Sequence, residues 1–562
     1  VTSSSTFTHV SPVFLNSFFS ELGWYALQCW ATIVKMSQQS SYPTIEPTNF
    51  DLIVVGTSLP ESVIAAAASA CGKTVLQLDP NPFYGSHTSS LPITDLSSFL
   101  LSPSSESSRP SPSPDYTSDS AEYKSVNLLT RKLYSGVEIC RLEETEEVDA
   151  QSGKFLVDVC GPTAIFAFSE DVDLLIKSGC SNYIEFKGIE ASFMYFHGLK
   201  PSLSRVPDSR ASIFKDKNLS LAEKNQLMRF FKLVNSHLDG ETEEDNKKIL
   251  EADLESPFVD FLSKMKLPSN MKSIILYAIA LADYDQEDES YHTNQMKTKD
   301  GIARLSSYQA SYGRFTNTLG ALIYPIYGQG ELPQSFCRRA AVKGCVNVLR
   351  MPVQSLLLDK NDGYKGVKLA SGQDMFSDNL ILEPSFIVPQ NLVLPLNHDD
   401  NPRVLTRVAR GICITKSSLK PDFSTLLVVF PPRSISSKQS TAIRVLQIAG
   451  NLAVCPMGMF VLYLSTFCDE IDDGKELINS AVNSLFSTSE NVKPVLLWSA
   501  VYIQHLSTAK CGSIYTTPMP DGSLTYSNIL NEAKMLFQKL YPTEEFFAAS
   551  ATETSEEGNL ES

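Results

Sequence analysis

The segment Phe50–Val55 is a short, mostly apolar run that predicts a strand buried on both faces of a parallel sheet. Gly56-Thr57-Ser58 breaks the run. Behind the break Leu59, Val63, Ala66, Ala67 and Ala70 recur at helical spacing, with Gly72 as the stop. A second strand, Thr74–Leu78, closes on Asp79-Pro80-Asn81-Pro82. These pieces make one β-α-β unit. Phe155–Val159 and Tyr183–Phe196 also have strand character. From about residue 212 the period becomes helical. Ser220-Leu221-Ala222-Glu223 has the form of a capping box, and Leu227, Phe230, Phe231, Val234 and Leu238 make one apolar stripe behind it. Pro257–Met265 and Asn270–Ala282 read as further helices split by Pro268. Strand patterns return after Gly344: Val353–Asp359 and Tyr364–Leu369 flank the hairpin signal Asn361-Asp362-Gly363, and Leu380–Leu382 reads as another sheet strand. A helix is expected around Ser527–Leu540.

The pattern predicts an α/β platform interrupted by an all-helical insertion. Its expected parts are an N-terminal extension (1–49), a first platform segment (50–211), the helical insertion (212–300), a second platform segment (301–548) and an acidic tail (549–562). Inside the first platform segment, 97–127 is rich in Ser and Pro and reads as a surface loop.

Composition narrows the classes. The formal net charge of -16 is unsuited to a nucleic-acid phosphate surface. The 11 cysteines are scattered and form no Cys-x-x-Cys, which fits buried thiols in a reducing cytoplasm rather than a disulfide or zinc framework. The 7 histidines have no metal-ligand spacing, so no metal is expected. Phe14–Val34 carries Asn16, Glu21 and Gln28 with no Lys or Arg before it, a poor spanning helix and a poor signal peptide. Met36 precedes a polar run into the first strand and reads as the true start, with residues 1–35 untranslated. The C-terminal Asn559-Leu560-Glu561-Ser562 is no prenylation box.

The first unit almost carries a dinucleotide fingerprint. In G-x-G-x-x-G the glycines seat a pyrophosphate on the helix N-terminus, and an acid after the next strand holds the ribose. Here Gly56 is present and Asp79 stands where the acid belongs, but Ser58 takes the second glycine position and Glu61 the third. Ser58 and Glu61 have capping-box spacing, which would fold the carboxylate onto the helix N-terminus. A phosphate beside it at about 4 Å would be repelled by roughly 1–4 kcal/mol. The motif is structural, and FAD or NAD is not expected. No P-loop, His-Glu-x-x-His or Gly-x-Ser-x-Gly occurs, so no catalytic residues are assigned.

The blocks Phe50-Asp51-Leu52-Ile53-Val54-Val55-Gly56-Thr57-Ser58-Leu59-Pro60-Glu61-Ser62 and Asp79-Pro80-Asn81-Pro82-Phe83-Tyr84-Gly85 resemble the opening of the Rab GDP-dissociation inhibitor and Rab escort protein superfamily. Tyr324-Pro325-Ile326-Tyr327-Gly328-Gln329-Gly330-Glu331-Leu332-Pro333-Gln334-Ser335-Phe336-Cys337-Arg338 is similar to its central motif, and Tyr183-Ile184-Glu185-Phe186-Lys187 to a third block. The resemblance spans Phe50 to Leu540 and implies a flavoprotein-like fold. Gln329, Ser335, Cys337, an added segment at 97–150, Pro494–Trp498 and the acidic tail resemble the escort branch. The alternative is a dissociation inhibitor, and more distantly an FAD-dependent oxidoreductase.

The resemblance implies a non-catalytic accessory protein (component A) of intracellular protein transport. It would bind GDP-bound Rab GTPases and present them to the α/β heterodimer of Rab geranylgeranyl transferase. It would then cover the geranylgeranyl group until transient membrane delivery from the cytosol. Tyr84, Glu331, Gln334, Arg338 and Val348 fall on the Rab-binding platform, the last standing where Met or Cys is frequent. Lys343, Cys345 and Asn347 depart from the family pattern. The helical insertion offers Phe230, Phe231, Phe258, Phe261, Leu262, Ile274 and Ile275 as a candidate lipid groove, positions that also suit a plain helical core.

Overall fold

The computed structural model describes residues 42–102, 123–141, 148, 151–197, 201–207, 220–239, 249–316, 318, 320–389, 392–395, 406–487 and 494–548. The expected start at Met36 and the acidic tail lie outside them.

The β-α-β unit forms as β1 (Asn49–Val55), α1 (Leu59–Ala70) and β2 (Val75–Asp79). Far along the chain follow β3 (Leu322–Pro325), α2 (Glu331–Val342), β4 (Val346–Leu349) and β5 (Asp374–Leu382). Strands β4, β2, β1 and β5 are parallel neighbours in that order. The antiparallel strands 364–369, 353–358 and 124–127 extend the same sheet. Leu52, Ile53, Val54 and Val55 are wholly buried, as a central strand covered on both faces must be. Ala65–Ala68 leave α1 thin enough for α2 and the helix Ser527–Leu540 to pack closely on it, and Phe336, Ala340, Ala533 and Phe537 share its core. This is the flavoprotein-like topology, with helix N-termini and loops gathered at the carboxyl ends of the parallel strands.

A second sheet runs in the order 202–205, 191–196, 426–430, 443–449, 460–468, 407–415, 496–505, 134–141. The helix Ile471–Ser487 covers one face through Ile478, Ala481 and Leu485. The helical insertion shares a core with the other face: Phe230, Phe258, Phe261, Leu262, Ile274 and Ile275 join Ile412, Leu427, Leu446 and Ile448.

The capping box at Ser220 is made in both directions: Glu223 N donates to Ser220 Oγ at 3.3 Å and Ser220 N to Glu223 Oε2 at 2.8 Å. Three expectations change. The helix Thr298–Ser311 runs through the boundary expected at 300, and Ile302 and Leu305 pack into the insertion's core, so the helical region reaches 311. Leu238 is 44% exposed, which ends the apolar stripe one turn early. The loop 97–127 is shorter than its composition indicates. Leu96 and Leu100 bury one side of the helix Ile93–Leu100, and Lys124–Asn127 pairs with the strand Val353–Leu358. A few apolar residues at the right period outweigh many serines. Among the described residues no helix is long and apolar enough to cross a membrane.

Candidate functional site

The turn between β3 and α2 is fixed by a buried acid. Asp158 is fully buried and accepts from Ser90 Oγ at 2.6 Å, from Gln329 N at 3.0 Å and from the Tyr324 hydroxyl. Ser90 Oγ in turn accepts from Gly330 N at 2.9 Å. Burial pushes the Asp158 carboxyl up to about 6 against the pull of these donors. Gly328 has φ +98°, and a Cβ there would lie 2.4 Å from Ser90 Oγ and 2.8 Å from Asp158 Oδ1. Only glycine fits this turn.

The fixed turn sets the phase of α2. Leu332, Pro333, Ser335, Phe336, Cys337 and Ala340 face inward. Glu331, Gln334 and Arg338, spaced three and seven apart, share the opposite face, with Gln334 and Arg338 exposed and Glu331 half-buried. Burial raises the Glu331 carboxyl above its ordinary value. No ion pair joins Glu331 to Arg338 among the described residues. Arg338 instead lies over the ring of Tyr183, 4.5 Å from its centroid. Val348 is paired with Leu78, so it stands near the carboxyl end of β4 where the first turn of α2 begins. Tyr84, half-buried, leaves the loop after β2 at the same end. Burial, then Cys337, Cys345 and Asp79, push its phenol up. The structure therefore gathers Tyr84, Glu331 and Val348 at one end of the sheet and carries Gln334 and Arg338 away along α2. Asn347, a departure from the family pattern, turns inward and donates to Cys337 O at 2.9 Å.

The cradle after β1 is filled. Glu61 is fully buried, but it is not the capping partner expected of it. Ser58 makes no side-chain cap, and Glu61 Oε1 accepts from the Thr517 hydroxyl while Oε2 has no partner. A tertiary contact from the distant C-terminal segment outcompetes the local box. Glu383, at the end of β5, lies directly over Gly56 (φ +114°), where a Cβ would sit 2.9 Å from its own Cβ. Asp79 accepts from Thr57 Oγ1 at 2.5 Å and from Asn81 N at 2.7 Å. Burial pushes Glu61 up to about 8, and raises Asp79 and Glu383 as well. His87 Nε2 is 3.9 Å from Glu383, yet burial pushes its imidazole down to about 4 and leaves it neutral near pH 7. Among the described residues no Lys or Arg offsets these carboxyls, and the Glu383 side chain already lies in the space over Gly56 through which a pyrophosphate would approach.

The family model for GDP dissociation inhibitor (GDI) matches residues 46–121 and 112–545. The chain belongs to the GDP dissociation inhibitor family. Within this family it is 51% identical to Rab escort protein 1 of Arabidopsis thaliana, over 92% of this chain and 98% of that protein. It is 26% identical to Rab proteins geranylgeranyltransferase component A 2 of Mus musculus, over 89% of this chain and 97% of that protein. A Rab GDI from Plasmodium falciparum has the same fold, with TM-score 0.66 at 20% identity, covering 89% of this chain and 100% of that one.

In this family member the candidate lipid residues are closed. Phe230, Phe258 and Leu262 are wholly buried and Phe261, Ile274 and Ile275 nearly so, while Phe231 is partly covered. The stretch Ile274–Ile279 is π-helical, with Ala280 N donating to Ile275 O at 2.8 Å. Asp158, Ser90 and Glu383 were not singled out by sequence, and Tyr183 was quoted only as the head of a family block, with no role assigned. An acid inside the run Phe155–Val159 was the available signal for Asp158, and the acid ending β5 for Glu383. Nothing in linear spacing ties Tyr183 to Arg338.

Proposed function

We propose that this chain is a Rab escort protein, an accessory component of Rab geranylgeranyl transferase with no catalytic residues of its own. The observation that carries the reading is the exposed face of α2. Glu331, Gln334 and Arg338 are presented there from a rigid turn, in a chain 51% identical to a named Rab escort protein. The face grips a GDP-bound Rab at its switch loops, whose order depends on the nucleotide. Arg338 supplies a fork of donors for carbonyls or carboxylates, Glu331 an acceptor, and Tyr84 and Val348 a partly apolar rim. The transferase α/β heterodimer then modifies the Rab tail, and the helical region covers the geranylgeranyl chain in the cytosol until membrane delivery. Because Phe230 and Phe258 are wholly buried, that cover requires the helices to part. No flavin takes part in this reading, which the two glutamates in the cradle support.

The test is a reconstituted prenylation with GDP-loaded Rab, the two-subunit transferase and labelled geranylgeranyl diphosphate. Transfer that requires this chain supports the escort role. No transfer beside a working escort protein would overturn it, and tight binding to prenylated Rab alone would then make the chain a dissociation inhibitor, the name its family model carries.

A further inference from the structure

Arg338 is exposed, and its guanidinium lies over the face of Tyr183, 4.5 Å from guanidinium carbon to ring centroid. Tyr183 ends the short turn Cys180–Tyr183 and is itself half-buried. The turn is anchored on both sides: Cys180 and Ile184 are buried in the core that contains Phe336 of α2. One residue pair on, Ile326 N donates to Glu185 O at 2.9 Å, and the strand Phe186–Gly188 pairs with β3. The neighbouring Arg339 covers Gly179, where a Cβ would lie 3.2 Å from its guanidinium carbon. Ring and arginine thus hang from one scaffold, β3 and α2.

We propose that Tyr183 is a positioning residue for partner binding, whose ring pre-orients the Arg338 guanidinium and leaves the rim of donors free. The inference rests on the reading of α2 as the Rab-binding face. A free arginine on a helix surface samples many rotamers, and ordering it at an interface weakens binding. A ring beneath the guanidinium settles that orientation before the partner arrives, and it does so through the face of the group, which carries no donors. The phenol hydroxyl takes no part, so phenylalanine serves equally. Leucine fills the space without offering a π-face.

The experiment measures binding of GDP-loaded Rab to the full chain for Arg338→Ala, Tyr183→Phe, Tyr183→Leu and the double variant Tyr183→Leu/Arg338→Ala, with thermal unfolding as the folding control. Tyr183→Phe is expected to bind as the unaltered chain does. Tyr183→Leu is expected to weaken binding about 3- to 10-fold, the effect of one side chain left to be ordered on binding. In the Arg338→Ala background Tyr183→Leu is expected to add nothing, a non-additivity that a general loosening of the turn would not produce. Full additivity, or an unchanged Tyr183→Leu where Arg338→Ala weakens binding, overturns the inference and leaves the platform standing. An unchanged Arg338→Ala overturns the platform itself. Should Tyr183→Leu unfold early, loss of binding in Tyr183→Phe, where the ring is kept, overturns the inference instead.

Discussion

Arg338 and Glu331 lie on one face of α2 but do not pair, so each is available to a partner. Their separation of seven residues is about 10 Å along the axis, which suits two distinct contacts better than one. Arg338→Ala is expected to weaken binding to GDP-loaded Rab by about 10-fold or more, the loss of a donor fork at an interface centre. Glu331→Gln keeps the shape and an acceptor, and is expected to lose less. Calorimetric titration decides the order, and equal, negligible losses would remove α2 from the interface. Gln334 and Arg338 were legible in sequence only through the resemblance, because their side chains carry no chemistry that periodicity can single out. Asp158 was legible in principle, as an acid in an apolar strand. Its partners Ser90, Tyr324 and Gln329 come from remote parts of the chain and were not. Tyr183 was visible in a family block, but its place beneath Arg338 was hidden for the same reason.

Elements built from local period were read closely. The unit β1-α1-β2, the hairpin around Asp362 and the helix Ser527–Leu540 follow from spacing within a few residues. What spacing could not give is the closeness of approach between elements, and glycines mark it. At Gly328 an added methyl would strike Ser90 Oγ at 2.4 Å and Asp158 Oδ1 at 2.8 Å on a backbone with φ +98°. Gly328→Ala is therefore expected to lower stability by about 1–3 kcal/mol and to shift the start of α2. Rab binding should fall with it even at temperatures where the chain stays folded. A variant with a lowered midpoint but unchanged Rab affinity would separate the turn from the platform. In the helical region Gly301 lets the helix Thr298–Ser311 lie against Phe258, since a Cβ there would come within 2.4 Å of the ring. Gly301→Ala is expected to push these helices apart. Amide exchange should quicken in Phe258–Lys264 while β1 stays protected, and uniform exchange in both would show that the helical region does not open by itself.

At the scale of the whole molecule the filled cradle makes stability depend on pH in an unusual sense. Glu61 is held up to about 8, and burial raises Asp79 and Glu383 with it. In the unfolded chain such carboxyls titrate near 4. The folded chain therefore binds more protons than the unfolded one across the interval between those values. Stability is fully present below the unfolded value and is lost as pH rises through the folded values. His87 acts in the opposite sense, because burial holds it down to about 4, but its effect ends once the unfolded histidine is neutral near pH 7. The exposed Glu255, held down to about 2 by Lys297 and Lys299, is silent above pH 5. Between about pH 7 and pH 8 Glu61 contributes at most about 1.4 kcal/mol of loss per pH unit, and the buried thiols, which burial also raises, add to the slope in the same sense and equally with or without Glu61. Glu61→Gln removes the titration and keeps an acceptor for the Thr517 hydroxyl. Urea midpoints across this window are expected to fall more steeply with pH for the unaltered chain than for Glu61→Gln, and the variant should be the more stable at pH 8. Parallel slopes would mean that Glu61 is ionised in the folded chain, compensated by a cation. A cradle that tolerates a charged glutamate would also be a cradle that could admit a phosphate, so the same titration tests the proposal that this flavoprotein-like fold takes no dinucleotide.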